Sequence, residues 1–158
     1  MLVFFDTEFT ELGIDPCLIS IGLISEDGRE FYAELSDTYL IKDCSAFVQE
    51  AVLPHLEGGE MLMPMHELTL RLGSWLEAFK QPVKLATDSI SWDWPWIHEI
   101  FGAASTWPAN LDGKPEILKQ GSDFILAIEQ AYAGGLRRHH ALDDTRANRI
   151  AQMLYRVV

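Results

Sequence analysis

LVFFD, at residues 2–6, is a continuous apolar run that ends in an acid, which is typical of a strand buried in the centre of a sheet. Residues 17–25, CLISIGLIS, are apolar and β-branched and predict a second strand. The turn sequence EDGR, at residues 26–29, then leads into a third strand at residues 29–35, REFYAEL. Three strands joined by short turns predict an antiparallel meander at the start of the chain.

Helical spacing of apolar residues dominates the rest of the chain. A short fourth strand is predicted at residues 83–87, VKLAT, and a short fifth strand within residues 106–120. Helices are predicted at residues 45–53, 65–79, 94–101, 122–133 and 141–157. We expect Pro95 in the first turn of the third helix and Ser122 as the N-cap of the fourth. This order predicts an α/β protein with a mixed five-stranded sheet and helices on both faces.

The bulk composition fits a single domain that spans residues 1–158 and, at 48% apolar residues, can bury a core. No apolar run approaches the roughly 20 residues of a membrane span, so we expect no membrane partner. Carboxylates appear by Asp6 with no basic leader before it, so we predict no signal peptide and a cytoplasmic protein. Cys17 and Cys44 lack metal-binding spacing and are expected to be reduced thiols.

The net charge argues against tight binding of long nucleic acids. Twelve Lys and Arg residues against 24 Asp and Glu residues give a formal charge of −12. Proteins that grip long duplexes through the phosphate backbone usually present a basic surface. The acidity fits instead a site that recruits divalent cations, which then contact the phosphates, and short single-stranded substrates held by few contacts.

Acidic side chains that could form such a site occur near two of the predicted strands. Asp6 and Glu8 end the first strand and point to the same face because side chains alternate along a strand. An acid pair at this place could also be a strand end that reaches solvent. Asp93 lies where a helix begins, and capping that helix would explain it without catalysis. Asp88, at the end of the fourth strand, is a rival acid.

A third group of polar residues is the segment HHALDDTRA, at residues 139–147. Its two acids open a helix, where the helix dipole favours negative charge even without a catalytic role. The two histidines that precede them make a catalytic role plausible, because a histidine on a loop beside a metal-binding acid can take a proton from water.

Taken together and in this order, FFDTEFT, ISWDWPWI and HHALDDTRA resemble the three motifs of the DEDDh 3'-5' exonuclease superfamily, which includes ribonuclease T and oligoribonuclease. The resemblance runs from Asp6 to about Asn148. DTEFTELG, LISIGLISEDGREFYAE and VLPHL are similar to a compact family of bacterial and phage 3'-5' exoribonucleases typified in mycobacteria. The resemblance implies a ribonuclease-H-like fold and metal-dependent hydrolysis of the 3'-terminal phosphodiester of single-stranded or 3'-overhang RNA, with RNA preferred over DNA.

The resemblance also implies the catalytic residues. Two Mg²⁺ or Mn²⁺ ions would be held by the four motif carboxylates, which are Asp6, Glu8, Asp93 and Asp144. In the third motif the histidine precedes the acid by five positions, which selects His139 as the general base and passes over His140 and Asp143. Many relatives have asparagine ahead of the second-motif acid where this chain has Asp88, so the choice between Asp88 and Asp93 stays open.

By the same resemblance, Phe9, Thr10 and Leu12 would line the pocket for the terminal nucleotide. Thr10 would contact the terminal sugar and Leu12 would lie beside the last base. Phe9 could instead be a core residue.

Other functions fit the same residues. A DNA exonuclease of the same fold, a non-catalytic domain that binds nucleic acid or protein, and another two-metal hydrolase such as a phosphatase are the alternatives. Relatives often form homodimers, and the segment from Met61 to Met65 could serve such an interface.

Overall fold

The computed structural model of the protein describes residues 1–102, 106–118 and 120–155, with Tyr155 described as backbone only. The strands are β1 (Leu2–Phe9), β2 (Leu18–Ser25), β3 (Glu30–Leu35), β4 (Leu62–Met63), β5 (Lys84–Thr87) and β6 (Glu116–Ile117). The helices are α1 (Ala46–Ala51), α2 (Met65–Glu77), α3 (Ile90–Ile100), α4 (Ser122–Ala133) and α5 (Ala141–Tyr155). Short 3-10 helices occur at Ile41–Asp43, Leu53–His55 and Gly59–Met61.

The strands form one mixed sheet in the order β4-β3-β2-β1-β5-β6. β1, β2 and β3 pair antiparallel, as predicted, whereas β5 runs parallel to β1 and β6 runs parallel to β5. This arrangement is consistent with the predicted ribonuclease-H-like fold. The predicted number of five strands is wrong, because β4 adds a sixth at the edge, parallel to β3. A strand of two residues is too short to show an alternating pattern in the sequence.

Helices cover both faces of the sheet, as predicted, and β1 shows how the two faces are built. Val3 and Phe5 are buried in a core that the apolar sides of α2 and α3 complete. Leu2 and Phe4 point to the opposite face and are buried against α4 and α5. Because side chains alternate along a strand, the continuous apolar run at the start of β1 serves both cores at once.

The start of α5 lies directly on the sheet at Gly22, which pairs with Asp6 in the β1–β2 ladder. A Cβ atom at Gly22 would lie 2.3 Å from the backbone nitrogen of Leu142, so only glycine fits at this position. The hydroxyl of Thr145 also donates a hydrogen bond of 3.1 Å to the Gly22 carbonyl. The first turn of α5 is therefore held next to the carboxyl end of β1.

The start of α3 and the N-cap of α4 differ from the prediction. α3 begins at Ile90, so Pro95 lies inside the helix and not in its first turn. The missing N–H of Pro95 leaves the Ser91 carbonyl without a helical partner, which is tolerable because Ser91 is exposed to water. α4 spans the predicted residues 122–133, but Gly121 and not Ser122 occupies its N-cap position. The predicted extension of the last helix to residue 157 lies outside the described residues.

The segment from Met61 to Met65, which we expected to be available for an interface, mostly faces inward. Met63 is buried, and Met61 and Met65 pack against buried clusters. Leu62, on the edge strand, is the member with a largely exposed side chain, at 48%. These methionines therefore fill the interior, where their flexible side chains pack well.

The remaining expectations about bulk properties can be compared with the described residues. Cys17 and Cys44 are free thiols, the first partly buried and the second buried. Within the described part of the chain, no helix combines the length and apolar character needed to cross a membrane.

Candidate functional site

A cavity of about 550 Å³ opens at the carboxyl end of β1. Its lining includes all five predicted catalytic residues, which are Asp6, Glu8, Asp93, His139 and Asp144. The rival acid Asp88 lines the same cavity, as do the predicted substrate residues Phe9 and Leu12. Three stretches that are far apart in the sequence thus meet at one place, as the motif resemblance implies.

Strand alternation positions the two acids of the first motif. Asp6 and Glu8 continue the series of Leu2 and Phe4, so they point to the face of the sheet that α5 covers. Thr7 lies between them and points to the opposite face, where it is buried. The β1–β2 register shifts between Glu8 and Phe9, and the regular pairing is interrupted beside the cavity.

Asp93 is fixed by threonines from two neighbouring strands. The hydroxyl of Thr7 on β1 donates a hydrogen bond of 2.6 Å to its Oδ1 atom. The hydroxyl of Thr87 on β5 donates to its Oδ2 atom. The N-cap position of α3 is occupied by Ser89, so the capping explanation for Asp93 is wrong. With 2% of its surface exposed, Asp93 is a buried acid whose orientation is set by the ends of both strands.

Asp144, in the first turn of α5, is held by two donors. Its Oδ1 atom accepts a hydrogen bond of 2.6 Å from the Tyr132 hydroxyl, and its Oδ2 atom accepts one of 3.0 Å from the backbone N–H of His139. His139 has a φ of 63°, a left-handed conformation that non-glycine residues rarely adopt. The edge of its ring meets Phe47 at a centroid distance of 5.0 Å. The histidine loop and the metal-ligand candidate are therefore tied together.

His140 and Asp143, which the motif spacing passes over, belong to a separate polar network. The His140 ring packs on Tyr32 with centroids 4.6 Å apart, and its Nδ1 atom accepts a hydrogen bond of 3.3 Å from the Asp143 N–H. Asp143 forms ion pairs of 2.6 Å with both Arg137 and Arg146. These contacts give both residues a structural role outside the cavity.

The acids of the cavity form two adjoining groups. Within each group the potential ligand atoms all lie within 4.8 Å of one another; the groups are Glu8 with His139 and Asp144, and Asp6 with Asp88 and Asp93. Carboxylate oxygens are hard donors, which suits Mg²⁺ or Mn²⁺ better than soft metals. The donor set therefore suits hard divalent cations of this kind.

Burial and mutual repulsion make these acids hard to ionise together. Burial first, and then repulsion from Asp93, Asp144 and other neighbouring acids, raises the pKa of Asp6 well above its usual value. Burial and the charges of Asp144 and Asp93 raise the pKa of Glu8 to about 8. Burial raises the pKa of Asp93 and of Asp144 to about 6, although hydrogen bonds from Thr7 and Tyr132 oppose the shift. Cations bound among these acids would favour their charged forms.

His139 has the protonation state that a base requires. Burial, followed by the positive charges of Arg138 and His55, lowers the pKa of its imidazole below the usual value. The ring is therefore mostly neutral near pH 7 and has a nitrogen lone pair to accept a proton.

The three predicted substrate residues lie in different settings. Leu12 stands at the rim of the cavity with 74% of its surface exposed. Phe9 lines the cavity, as predicted, and its ring also stacks on Trp92 with centroids 5.9 Å apart. Phe9 is therefore both a cavity residue and a packing residue. Thr10 is buried, and its hydroxyl accepts a hydrogen bond of 2.9 Å from the Cys17 N–H. The Thr10 side chain is not among the described cavity-lining groups.

Sequence reasoning missed several residues that shape the site. Thr7 could have been found, because it alternates with Asp6 and Glu8 and must face the adjoining helix. Thr87 and Tyr132 carry no signal of their own, since their importance arises only from contacts with acids on other elements. The described residues that line the cavity include no Lys or Arg, in line with the acidic composition.

Comparison with known proteins identifies curated proteins of similar sequence. No protein-family model matches the chain. Two curated proteins of Mycobacterium tuberculosis, from strains CDC 1551 and H37Rv and each named a 3'-5' exoribonuclease, are 33% identical to it over 110 residues. The aligned region covers 68% of this chain but only 61% of each relative. The resemblance to mycobacterial exoribonucleases is thereby confirmed, while the DEDDh role of each residue stays a prediction.

Proposed function

We propose that this sequence relative of the mycobacterial 3'-5' exoribonucleases is itself a metal-dependent 3'-5' exoribonuclease of the DEDDh type. The observation that carries the proposal is the convergence of four carboxylates and one histidine in a single cavity. Leaving several acids partly buried together is unfavourable for a folded protein unless a ligand compensates for it. Catalysis with bound cations explains why the chain keeps such a cluster.

The four motif carboxylates would hold two Mg²⁺ or Mn²⁺ ions. When bound, such ions polarise a phosphate, make a coordinated water more acidic and stabilise a leaving oxygen. The charges of acids from both groups act on Asp6, and by the motif resemblance Asp6 would be a ligand of both ions. Thr7 and Thr87 would keep Asp93 in place, and Tyr132 would do the same for Asp144.

His139 would act as the general base. A ring nitrogen of His139 lies within 4.8 Å of ligand atoms of Glu8 and Asp144, which is close enough to reach a water between them. The hydrogen bond from its backbone N–H to Asp144 keeps the loop near the acid that it would serve. A neutral imidazole at this position can take the proton of the attacking water.

The substrate in this proposal is the 3' end of single-stranded or 3'-overhang RNA. The names of the relatives favour RNA over DNA. Leu12 and Phe9, at the mouth of the cavity, offer apolar surface to the terminal base. An acidic protein whose described cavity lining lacks Lys and Arg would grip few phosphates, which favours short contacts at a chain end.

Digestion of a 5'-labelled RNA with a 3' overhang tests the proposal. We expect a ladder of products that shortens from the 3' end with Mg²⁺ or Mn²⁺, no products with EDTA, and slower digestion of a DNA oligomer of equal sequence. Asp6→Ala and Asp144→Ala are expected to abolish digestion while circular dichroism shows a retained fold. Turnover that survives in either variant would show that the cavity is not the active site. Faster digestion of the DNA would instead make the protein a DNA exonuclease.

A further inference from the structure

Asp88 lies in the cavity although the motif resemblance gives its position to an uncharged residue. It follows β5 directly, and β5 runs parallel to β1, so the carboxyl ends of both strands meet at one edge of the sheet. A carboxylate oxygen of Asp88 lies within 4.8 Å of oxygens from Asp6 and Asp93. Asp88 therefore falls within the same 4.8 Å limit as the two motif acids.

The chain after β5 is held in a defined position. The side-chain amide of Gln120 donates a hydrogen bond of 3.1 Å to the Asp88 carbonyl, and the Ser89 N–H donates one of 3.0 Å to the Thr87 hydroxyl. The side chain of Asn148, one turn beyond Asp144 on α5, is hydrogen-bonded to the Asp88 carboxylate. The carboxylate is therefore oriented by its surroundings.

The carboxylate oxygens of Asp93 and Asp6, the two motif acids of this group, have further interactions. Both oxygens of Asp93 accept hydrogen bonds from threonines, which uses one lone pair of each. Asp6 would be shared by two ions in the proposed two-metal site. A cation on the Asp93 side would consequently gain from one more hard oxygen donor.

We propose that Asp88 is a third carboxylate ligand of the cation held beside Asp6 and Asp93. The inference rests on the proposed function, because it concerns the same metal site. Four carboxylates balance two divalent cations, and a fifth leaves one negative charge in excess. Asp88 therefore strengthens cation binding, while the excess charge weakens the attraction of the loaded site for a phosphate.

Asp88→Asn isolates the charge from the shape. Asparagine keeps an oxygen that can accept a hydrogen bond from Asn148. In a titration with Mn²⁺ followed by electron paramagnetic resonance, without RNA, we expect the dissociation constant of one Mn²⁺ to rise on the order of tenfold. Asp88→Glu retains the charge and should restore most of the affinity. Glu60→Gln, which removes the same charge from an exposed position away from the cavity, should bind Mn²⁺ like the unaltered protein.

Kinetics provide a second readout. At saturating Mn²⁺, Asp88→Asn is expected to keep or lower the KM for RNA, because the loaded site has lost its excess negative charge. A variant that simply disturbed the fold would raise the KM and lower the melting temperature together. Unchanged Mn²⁺ affinity in Asp88→Asn would overturn the inference.

Asp6→Asn separates this inference from the proposed function. If Asp6→Asn weakens Mn²⁺ binding and Asp88→Asn does not, the metal site stands and Asp88 is not a ligand. If neither variant changes Mn²⁺ binding, the cavity is not the metal site and the proposed function fails with it. Weaker binding in both variants supports the inference.

Discussion

Replacing Glu8 by glutamine should make the metal-free protein more stable, and increasingly so at higher pH. Burial and the charges of Asp144 and Asp93 raise the pKa of the folded Glu8 from 4.5 to about 8. The folded state then binds this proton more tightly than the unfolded chain, so stability that is complete below about pH 4.5 is lost as the pH rises through 8.

The size of the effect follows from the two pKa values. With 4.5 unfolded and about 8 folded, ionisation of Glu8 lowers the free energy of unfolding by about 1 kcal/mol at pH 5.5 and about 4 kcal/mol at pH 8. Because the carboxylate is partly exposed, water screens part of the repulsion, and we expect about half of these figures. For a chain of this length, each kcal/mol shifts the melting temperature by roughly 2–4 °C.

Divalent cations should reduce this difference. A ligand present at about 100 times its dissociation constant stabilises the folded state by about 3 kcal/mol. The unaltered protein would gain this stabilisation from Mg²⁺, whereas Glu8→Gln lacks one ligand and would gain less. The same carboxylate therefore destabilises the metal-free protein and contributes to its stabilisation by Mg²⁺.

Thermal melts followed by circular dichroism measure both effects, in EDTA at pH 5.5 and pH 8 and again with Mg²⁺ at pH 8. Glu11→Gln is the matched control, because Glu11 is an exposed glutamate that also lines the cavity. We expect Glu8→Gln to melt several degrees above the control in EDTA at pH 8 and only slightly above it at pH 5.5. A difference that does not grow with pH, or equal stabilisation of both variants by Mg²⁺, would refute the reasoning.

Three further substitutions test how the site is built. Gly22→Ala should lower the free energy of unfolding by about 1–3 kcal/mol or more and impair activity, because the new Cβ displaces α5. Gly73→Ala is the control: its Cβ would lie 3.7 Å from the nearest neighbouring atom, so it should leave the melting temperature unchanged or raise it. His139→Ala should reduce kcat on the order of a hundredfold with little change in Mn²⁺ affinity. A larger loss of kcat in a well-folded His140→Ala variant would instead identify His140 as the general base. Tyr132→Phe removes a hydrogen-bond donor to Asp144, so the pKa of Asp144 should rise. The affinity for Mn²⁺ should then fall at pH 7 but much less at pH 8.5, and equal losses at both pH values would contradict this.

The parts of the fold that the sequence predicted are those with a strong local pattern. β1, β2 and β3 carry apolar or alternating residues with a clear turn signal, and all three were found in the right order. The shared direction of Asp6 and Glu8 also follows from strand alternation alone. Their position opposite Asp144 does not, because it depends on the close contact of α5 with Gly22.

Other features depend on contacts between distant elements and could not be predicted from the local sequence. β4 has two residues and exists only by pairing with β3. α3 starts before Pro95, which the sequence predicts in the first turn, and the exposed Ser91 carbonyl tolerates the lost hydrogen bond. Thr10 is predicted to contact the terminal sugar, yet its hydroxyl accepts a hydrogen bond from the Cys17 N–H within the protein. The motif spacing nevertheless selected the histidine and the acid that line the cavity.

Anomalous diffraction from crystals grown with Mn²⁺ would locate the cations themselves. We expect two peaks about 4 Å apart in the cavity at the end of β1, each within coordination distance of carboxylate oxygens from Asp6 and its neighbours. Strong peaks elsewhere on the protein, with none between these acids at saturating Mn²⁺, would contradict a two-metal site.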